Sequence, residues 1–367
     1  TLPRPPIARH RHIRADVYFS PDQPGYVRDL AATAKVFMTT LVGIAVAKGY
    51  IESVDERVVD LFPDRTIANR DAWKEAMTVE HLLTMTSGLG FDDDADTDEV
   101  WSSSDSVQAA LDLPMSHEPG VWWNYHQPTA FLLSAILTEV TGLSALGFAR
   151  EHLFRPLGIV DARWTASSNG VTKGWQELKL TPHDLAKFGQ LILQQGSWKG
   201  QQLVSPSWID QATGIQVGDF YGYMWSHYEE FPGMVQGGGG LGQRLIVASS
   251  RDLVVAFTGG GYAHEDIERI YLEALRTYVF PSVQSADPLP PNQAGAALLA
   301  EAISTAESPG RDPQPVGELP AIAHQVSGRT CVIDGPSGFL HLTLSFPSDD
   351  TASLIVVSSP DWDDGSP

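Results

Sequence analysis

Cysteine is almost missing from this chain: Cys331 is the only one in 367 residues. No internal disulfide can form, so the sequence neither requires an oxidising compartment nor excludes one. Positive charge is scarce too, with 24 Lys and Arg against 45 Asp and Glu and a formal net charge of −21. A surface of that sign repels phosphate backbones and anionic lipid, and nucleic acid is not an expected partner. No run of about 18 apolar residues occurs, so no membrane span is expected. The opening Thr1-Leu2-Pro3-Arg4-Pro5-Pro6 lacks the apolar core of a signal peptide. The compartment stays open on this reading, with the cytoplasm slightly favoured over secretion. There is no internal repeat and no P-loop, and Gly259-Gly260-Gly261 lacks the spacing and the acidic residue of a dinucleotide fingerprint. No cofactor is expected.

Metal ligation finds no support either. The acidic stretch Asp92, Asp93, Asp94, Asp96, Asp98, Glu99 lacks the glycine and the spaced ligands of a calcium loop and reads as a solvated loop. His10 and His12 stand two apart, as on one face of a strand, but no third ligand joins them, and surface histidines are the expectation.

What the chain does have is 43% hydrophobic residues, enough for one large core or two ordinary ones. Phe37, Leu41, Ile44 and Ala45 recur at helical spacing within 31–48, and Gly49 supplies a stop. Thr78 is a candidate N-cap for a helix running toward Gly88, and 129–140 reads as a helix closed by Gly142. Thr181-Pro182 and Ser205-Pro206 each place a capping hydroxyl before a proline, opening helices over 184–194 and 208–212. The pattern then changes. Leu245-Ile246-Val247 and Leu253–Phe257 read as antiparallel strands about a turn at 249–252, and an early strand near 13–19 is expected to complete their sheet. A helix with Ile267 and Ile270 follows, then a proline-rich linker, a helix near 294–305, and strands at 339–346 and 354–357.

Three stretches carry candidate chemistry: Ala32-Thr33-Ala34-Lys35 opening the first helix, Tyr125-His126-Gln127 before another, and Gly237-Gly238-Gly239-Gly240-Leu241-Gly242-Gln243 entering a strand. In this order they resemble the Ser-x-x-Lys, Tyr-x-Asn and Lys-Thr-Gly (or glycine-rich) elements of the β-lactamase-related and penicillin-binding-protein-like serine hydrolases. The similarity is to the class C-like, esterase and 6-aminohexanoate-dimer-hydrolase-like branch. It extends through Leu82-Leu83-Thr84-Met85-Thr86-Ser87-Gly88-Leu89 and Leu180–Gly189, and covers roughly 10–280. Each motif alone is weak, but their joint order is specific.

The resemblance implies an α/β (α+β) fold of the β-lactamase/transpeptidase-like type: an antiparallel sheet flanked by helices, a mostly helical domain and a small C-terminal β extension. The expected partition is 1–30 with 230–280 as the sheet domain, 31–229 as the helical domain carrying most of the site, and 281–367 as linker, helix and partial β module. It also implies hydrolysis of small esters or amides through an acyl-enzyme. Lys35 would be the base, at i+3 from the nucleophile on one helix face, and Tyr125 the proton shuttle. Gln127, Gly239, Gly240 and Leu241 would bind substrate, with the strand backbone supplying an oxyanion donor. The sequence departs from the family at two points. The nucleophile position holds Ala32, which has no hydroxyl, and Thr33 next to it is rotated about 100° away on a helix. Gln236 precedes the glycines where a cation is common, which disfavours a β-lactam carboxylate relative to esters and amides. Three readings remain: a hydrolase silenced by serine-to-alanine replacement, a natural non-catalytic relative binding a peptide or acyl ligand, and an acyltransferase on the same fold. Trp101, Trp122, Trp123, Trp175, Tyr221, Tyr223 and Trp225 are candidates for an aromatic pocket, with core packing expected for most.

Overall fold

The computed structural model describes residues 6–18, 25–259, 264–307, 321–332, 339–348 and 351–358. By packing, the chain divides into two units, Thr1–Pro309 and Gly310–Pro367.

The first unit is built on an antiparallel six-stranded sheet. Its strands are β1 (Pro6–Arg9), β2 (His12–Asp16), β3 (Ser226–His227), β4 (Met234–Gly239), β5 (Gln243–Ala248) and β6 (Leu253–Phe257), in the order β2-β1-β6-β5-β4-β3. β5 and β6 are buried along their whole length, which is why they read as apolar runs rather than as alternating patterns. The N-terminal contribution is a hairpin, not the single strand expected near 13–19. His10 and Arg11 turn it with φ of 52° and 63°. That turn separates the two histidines: His12 begins β2, while His10 pairs with Asp252 at 2.7 Å. They therefore do not share a strand face.

Helices cover this sheet and form the helical region. α1 (Ala34–Ala47) is preceded by a 3₁₀ turn over Ala31–Thr33 and is buried from Ala34 to Ala45. Its Phe37 stacks on Phe188 at 3.8 Å between ring centroids, a contact that anchors the helix; burying one such ring contributes about 2–3 kcal/mol. α2 (Val79–Leu83) starts from Thr78, whose side chain accepts from His81 N while the His81 ring returns the bond. α3 (Asp93–Ser102) corrects the reading of the acidic stretch as a loop. Asp92 caps it by accepting from Ala95 N, and three aspartates in its first turn complement the helix dipole. α4 (Gln127–Thr141) ends at Gly142. α5 (Pro182–Leu193) and α6 (Pro206–Thr213) begin at the Thr181 and Ser205 caps read from sequence. α7 (His264–Ala274) and α8 (Gln293–Glu307) follow β6. Among the described residues no single helix is long and apolar enough to cross a membrane.

The second unit holds a three-stranded antiparallel sheet of β7 (Arg329–Val332), β8 (Phe339–Ser348) and β9 (Thr351–Ser358). β8 and β9 correspond to the two strands read from sequence. β7 is a third that sequence reading left out.

Candidate active site

The 3₁₀ turn at Ala31–Thr33 sets the entrance to α1, and its backbone is strained. Ala31 has φ of 46° and is held there by an N–H bond to Asp29 Oδ1 at 2.7 Å. Burial raises the Asp29 carboxyl above its ordinary value, and the Ala31 N–H opposes that rise. Against this turn lies β4. A Cβ on Gly239 would fall 2.5 Å from Leu30 O and 2.9 Å from Thr33 N, so only glycine lets strand and turn approach so closely. Thr33 is 1% exposed, and its hydroxyl donates to Gly237 O at 3.3 Å, turned to the sheet.

Three residues beyond Ala32, Lys35 is buried at 3% exposure in the first turn of α1. Its Nζ donates to Tyr125 Oη at 2.7 Å and to the Trp175 carbonyl at 3.1 Å, and lies 4.6 Å from the Tyr125 ring centroid. Loss of water lowers its pKa to about 7, with the charge of Asp93 working against the fall. Burial pushes the Tyr125 phenol up. An amine that is partly neutral near pH 7 and touches a protonated phenol can take up a proton and pass one on.

Both side chains open on a cavity of about 330 Å³ that Ala32 also lines. Its other walls are Trp123, Phe220, Tyr221, Met224, Ser226, His227, Tyr228 and Gly238. Trp123 meets Phe220 and Tyr221 edge-on at 5.2 and 5.3 Å, forming an aromatic corner. Of the rings singled out from sequence, Trp123 and Tyr221 are in this wall. Trp101 and Trp175 pack edge-to-face at 5.1 Å beside Phe131, Tyr223 and Trp225 are core, and Trp122 lies outside, stacked on His117.

The remaining sequence candidates stand elsewhere. Gln127 is not among the cavity residues; its backbone N and side-chain Nε2 donate to the two oxygens of Asp93 at 2.5 and 3.0 Å. Gly239 packs against the 3₁₀ turn, and it is Gly238 that faces the cavity. Gly240 and Leu241 lie in a 3₁₀ turn beyond β4, where Leu241 is 49% exposed with φ of 58°. Gln236 donates to Tyr228 Oη at 2.9 Å. Arg244 stands across from Gly238 in the β4–β5 pair, with its Nη1 on the Gly239 and Gln243 carbonyls.

Sequence reasoning missed the neighbours of Tyr125. His126 is buried, with Nδ1 at 3.1 Å from Thr129 Oγ1 and Nε2 at 3.2 Å from Asp96 Oδ2, and burial lowers its pKa. Asp93 and Asp96 were visible only as members of an acidic run, and nothing local marked them as contacts of residues 30 or more positions away. Among the described residues no group of three or more His, Cys, Asp or Glu could hold a metal ion.

Several solved structures share this fold. A protein from Bacillus anthracis described as a 6-aminohexanoate-dimer hydrolase superposes with a TM-score of 0.68 at 16% identity, over 77% of this chain and 80% of that one. The octameric penicillin-binding protein homologue from Pyrococcus abyssi gives 0.61 at 16% identity, over 96% and 85%. EstCE1, a hydrolase with promiscuous acyltransferase activity, gives 0.59 at 15% identity, over 70% and 88%. These likenesses carry the β-lactamase/transpeptidase-like fold expected from the motifs. No individually curated protein matches the sequence. The sequence profile described as Beta-lactamase matches residues 8–276, well over half of the chain, and the protein belongs to that family.

Proposed function

We propose that this chain is a serine-hydrolase framework of the esterase or amidase type in which Ala32 occupies the nucleophile position, so that the site accepts small acyl compounds but lacks the group that attacks them. One observation carries the reading: Lys35 and Tyr125 touch at 2.7 Å in a cavity that Ala32 also lines. A serine at 32 would stand one helical turn before Lys35. Its Oγ would attack the carbonyl carbon while its proton passes to the neutral Lys35 amine. The N–H of residue 32 and one from β4, where Gly238 reaches the cavity, are the donors for the resulting oxyanion. Tyr125 would return a proton to the departing alcohol or amine, and water would then release the acyl group. The hydrolase and acyltransferase descriptions of the similar structures support esters and amides as the substrate class.

The apolar wall fits an acyl or aryl group, and Lys35 is the one ammonium or guanidinium among the lining residues. The aromatic corner supports esters and amides of apolar acyl groups as substrates. Thr33 is no substitute nucleophile, because its hydroxyl is bonded to the Gly237 carbonyl.

The test is initial-rate hydrolysis of p-nitrophenyl acetate and butyrate, with nitrocefin alongside, by the chain as it stands and by Ala32→Ser. The expected outcome is a gain in ester turnover of a thousandfold or more, on the order of what a missing serine costs, abolished by Lys35→Ala. An inert Ala32→Ser protein with an intact fold would reject the hydrolase reading. The absent hydroxyl at Ala32 favours a binding role for the chain as it stands, and product formed only with an added alcohol acceptor would identify a transferase.

A further inference from the structure

We propose that Asp93, at the start of α3, is a positioning residue of this site: by gripping both the backbone N–H and the side chain of Gln127 it holds the Tyr125–Gln127 segment against Lys35. This inference rests on the reading of Lys35 and Tyr125 given above.

The geometry is a two-toothed clamp. Asp93 Oδ1 accepts from Gln127 N at 2.5 Å and Oδ2 from Gln127 Nε2 at 3.0 Å. Charge-assisted bonds of this kind are about twice as strong as neutral ones. Gln127 is the first residue of α4, and its N–H has no partner inside the helix, so the carboxylate does for α4 what a cap does for other helices. The nominal cap, His126, makes no capping bond of its own. One turn further along α3, Asp96 holds the His126 ring and accepts from the N–H groups of Phe91 and Asp92 at 2.7 and 3.1 Å. The segment carrying Tyr125 is therefore fixed at its two following residues by one helix.

Asp93 also acts through its charge. It favours the protonated form of Lys35 and the neutral form of Tyr125. The other groups around the pair do not share that role. Trp175 presents a carbonyl to Lys35. Lys173 is paired with Glu177 and sits over the Trp101 and Trp175 rings. Arg244, across from Gly238, favours the ionised form of Tyr125, and His227, Tyr221 and Tyr228 line the same cavity. Asp93 is thus the anion set against the burial that lowers the Lys35 pKa.

The experiment follows Lys35 directly in the full chain labelled with ¹³C-lysine, its signal assigned by loss in Lys35→Met. Asp93→Asn removes the charge and one tooth of the clamp, and is expected to move the Lys35 titration to lower pH. Asp93→Ser, which keeps one acceptor for Gln127 N, should do the same, and Asp98→Asn, an exposed aspartate on the same helix, should leave it in place. In the Ala32→Ser background, Asp93→Asn should lower kcat about tenfold through misplacement of Tyr125 and shift the acid limb of kcat/KM downward. An unmoved Lys35 titration in folded Asp93→Asn, or an equal shift in Asp98→Asn, overturns the proposal. If Ala32→Ser proves inert, the hydrolase reading fails on that result, while the lysine titration still decides the role of Asp93.

Discussion

Lys35 Nζ and Tyr125 Oη, 90 positions apart in sequence, stand 2.7 Å from each other with the lysine 3% exposed. Burying an amine this deeply has a consequence for stability that does not depend on any reaction. The folded pKa of Lys35 is about 7 against an ordinary lysine value of 10.5. Between those values the unfolded chain holds the extra proton, so the contribution of this group to stability rises with pH across that window. Below it both states are charged, and above it both are neutral. Lys74, lowered to about 8, acts in the same direction. The difference between the starting chain and Lys35→Met therefore isolates Lys35. Urea unfolding from pH 7 to 10 should give a stability that climbs less with pH in Lys35→Met. Parallel curves would mean that Lys35 titrates as an ordinary lysine.

Gly90 is where α3, α4 and the loop before them crowd together. It has φ of 69°, and a Cβ there would lie 2.2 Å from Asp96 Oδ2 and 2.7 Å from His126 Nε2. Gly90→Ala combines a left-handed backbone with two such collisions and should cost about 2 kcal/mol or more in urea unfolding. It should also displace His126, visible as a shifted histidine resonance. A cost under about 0.5 kcal/mol would show that the Asp96–His126 contact is easily rearranged.

Lys74 is a second buried ammonium, 1% exposed and remote from the cavity. Its Nζ donates to the carbonyls of Ala68, Leu111 and Leu113 at 3.2, 2.8 and 2.5 Å, tying the end of one helix to the chain around residues 68 and 111–113. Lys74→Met leaves those acceptors without a donor, and the expected loss is about 2–4 kcal/mol. Lys74→Arg should lose less, since a guanidinium keeps the donors. Thermal unfolding of the two variants separates a requirement for donors from a requirement for apolar bulk.

Much of the helical frame was legible because its signals are local. The Thr181 and Ser205 caps bond to N–H groups three residues ahead, and the apolar residues of α1 declare its buried length within one segment. Such interactions need only neighbours in sequence. The motif order also pairs Lys35 with Tyr125, since the resemblance supplies a long-range contact that composition cannot.

The acidic run shows what stays hidden. Read by charge alone, Asp93 and Asp96 belong in solvent, yet each is turned onto α4 by a partner 30 or more residues away. The glycine-rich stretch shows the same limit at one-residue scale. Successive strand positions face opposite sides, so Gly238 lines the cavity while Gly239 packs on the turn before α1.

The sequence by itself determined the family, the capped helix starts at Thr78, Thr181 and Ser205, the apolar strands β5 and β6, and the absence of a hydroxyl at position 32. Only the tertiary structure decided which rings wall the cavity, that Gln127 is bound to Asp93, and that the Thr33 hydroxyl is turned to the sheet. The physical reason is the range of the forces involved. Caps and periodicity act over three or four residues, whereas a site is assembled from segments whose meeting depends on the packing of the whole chain.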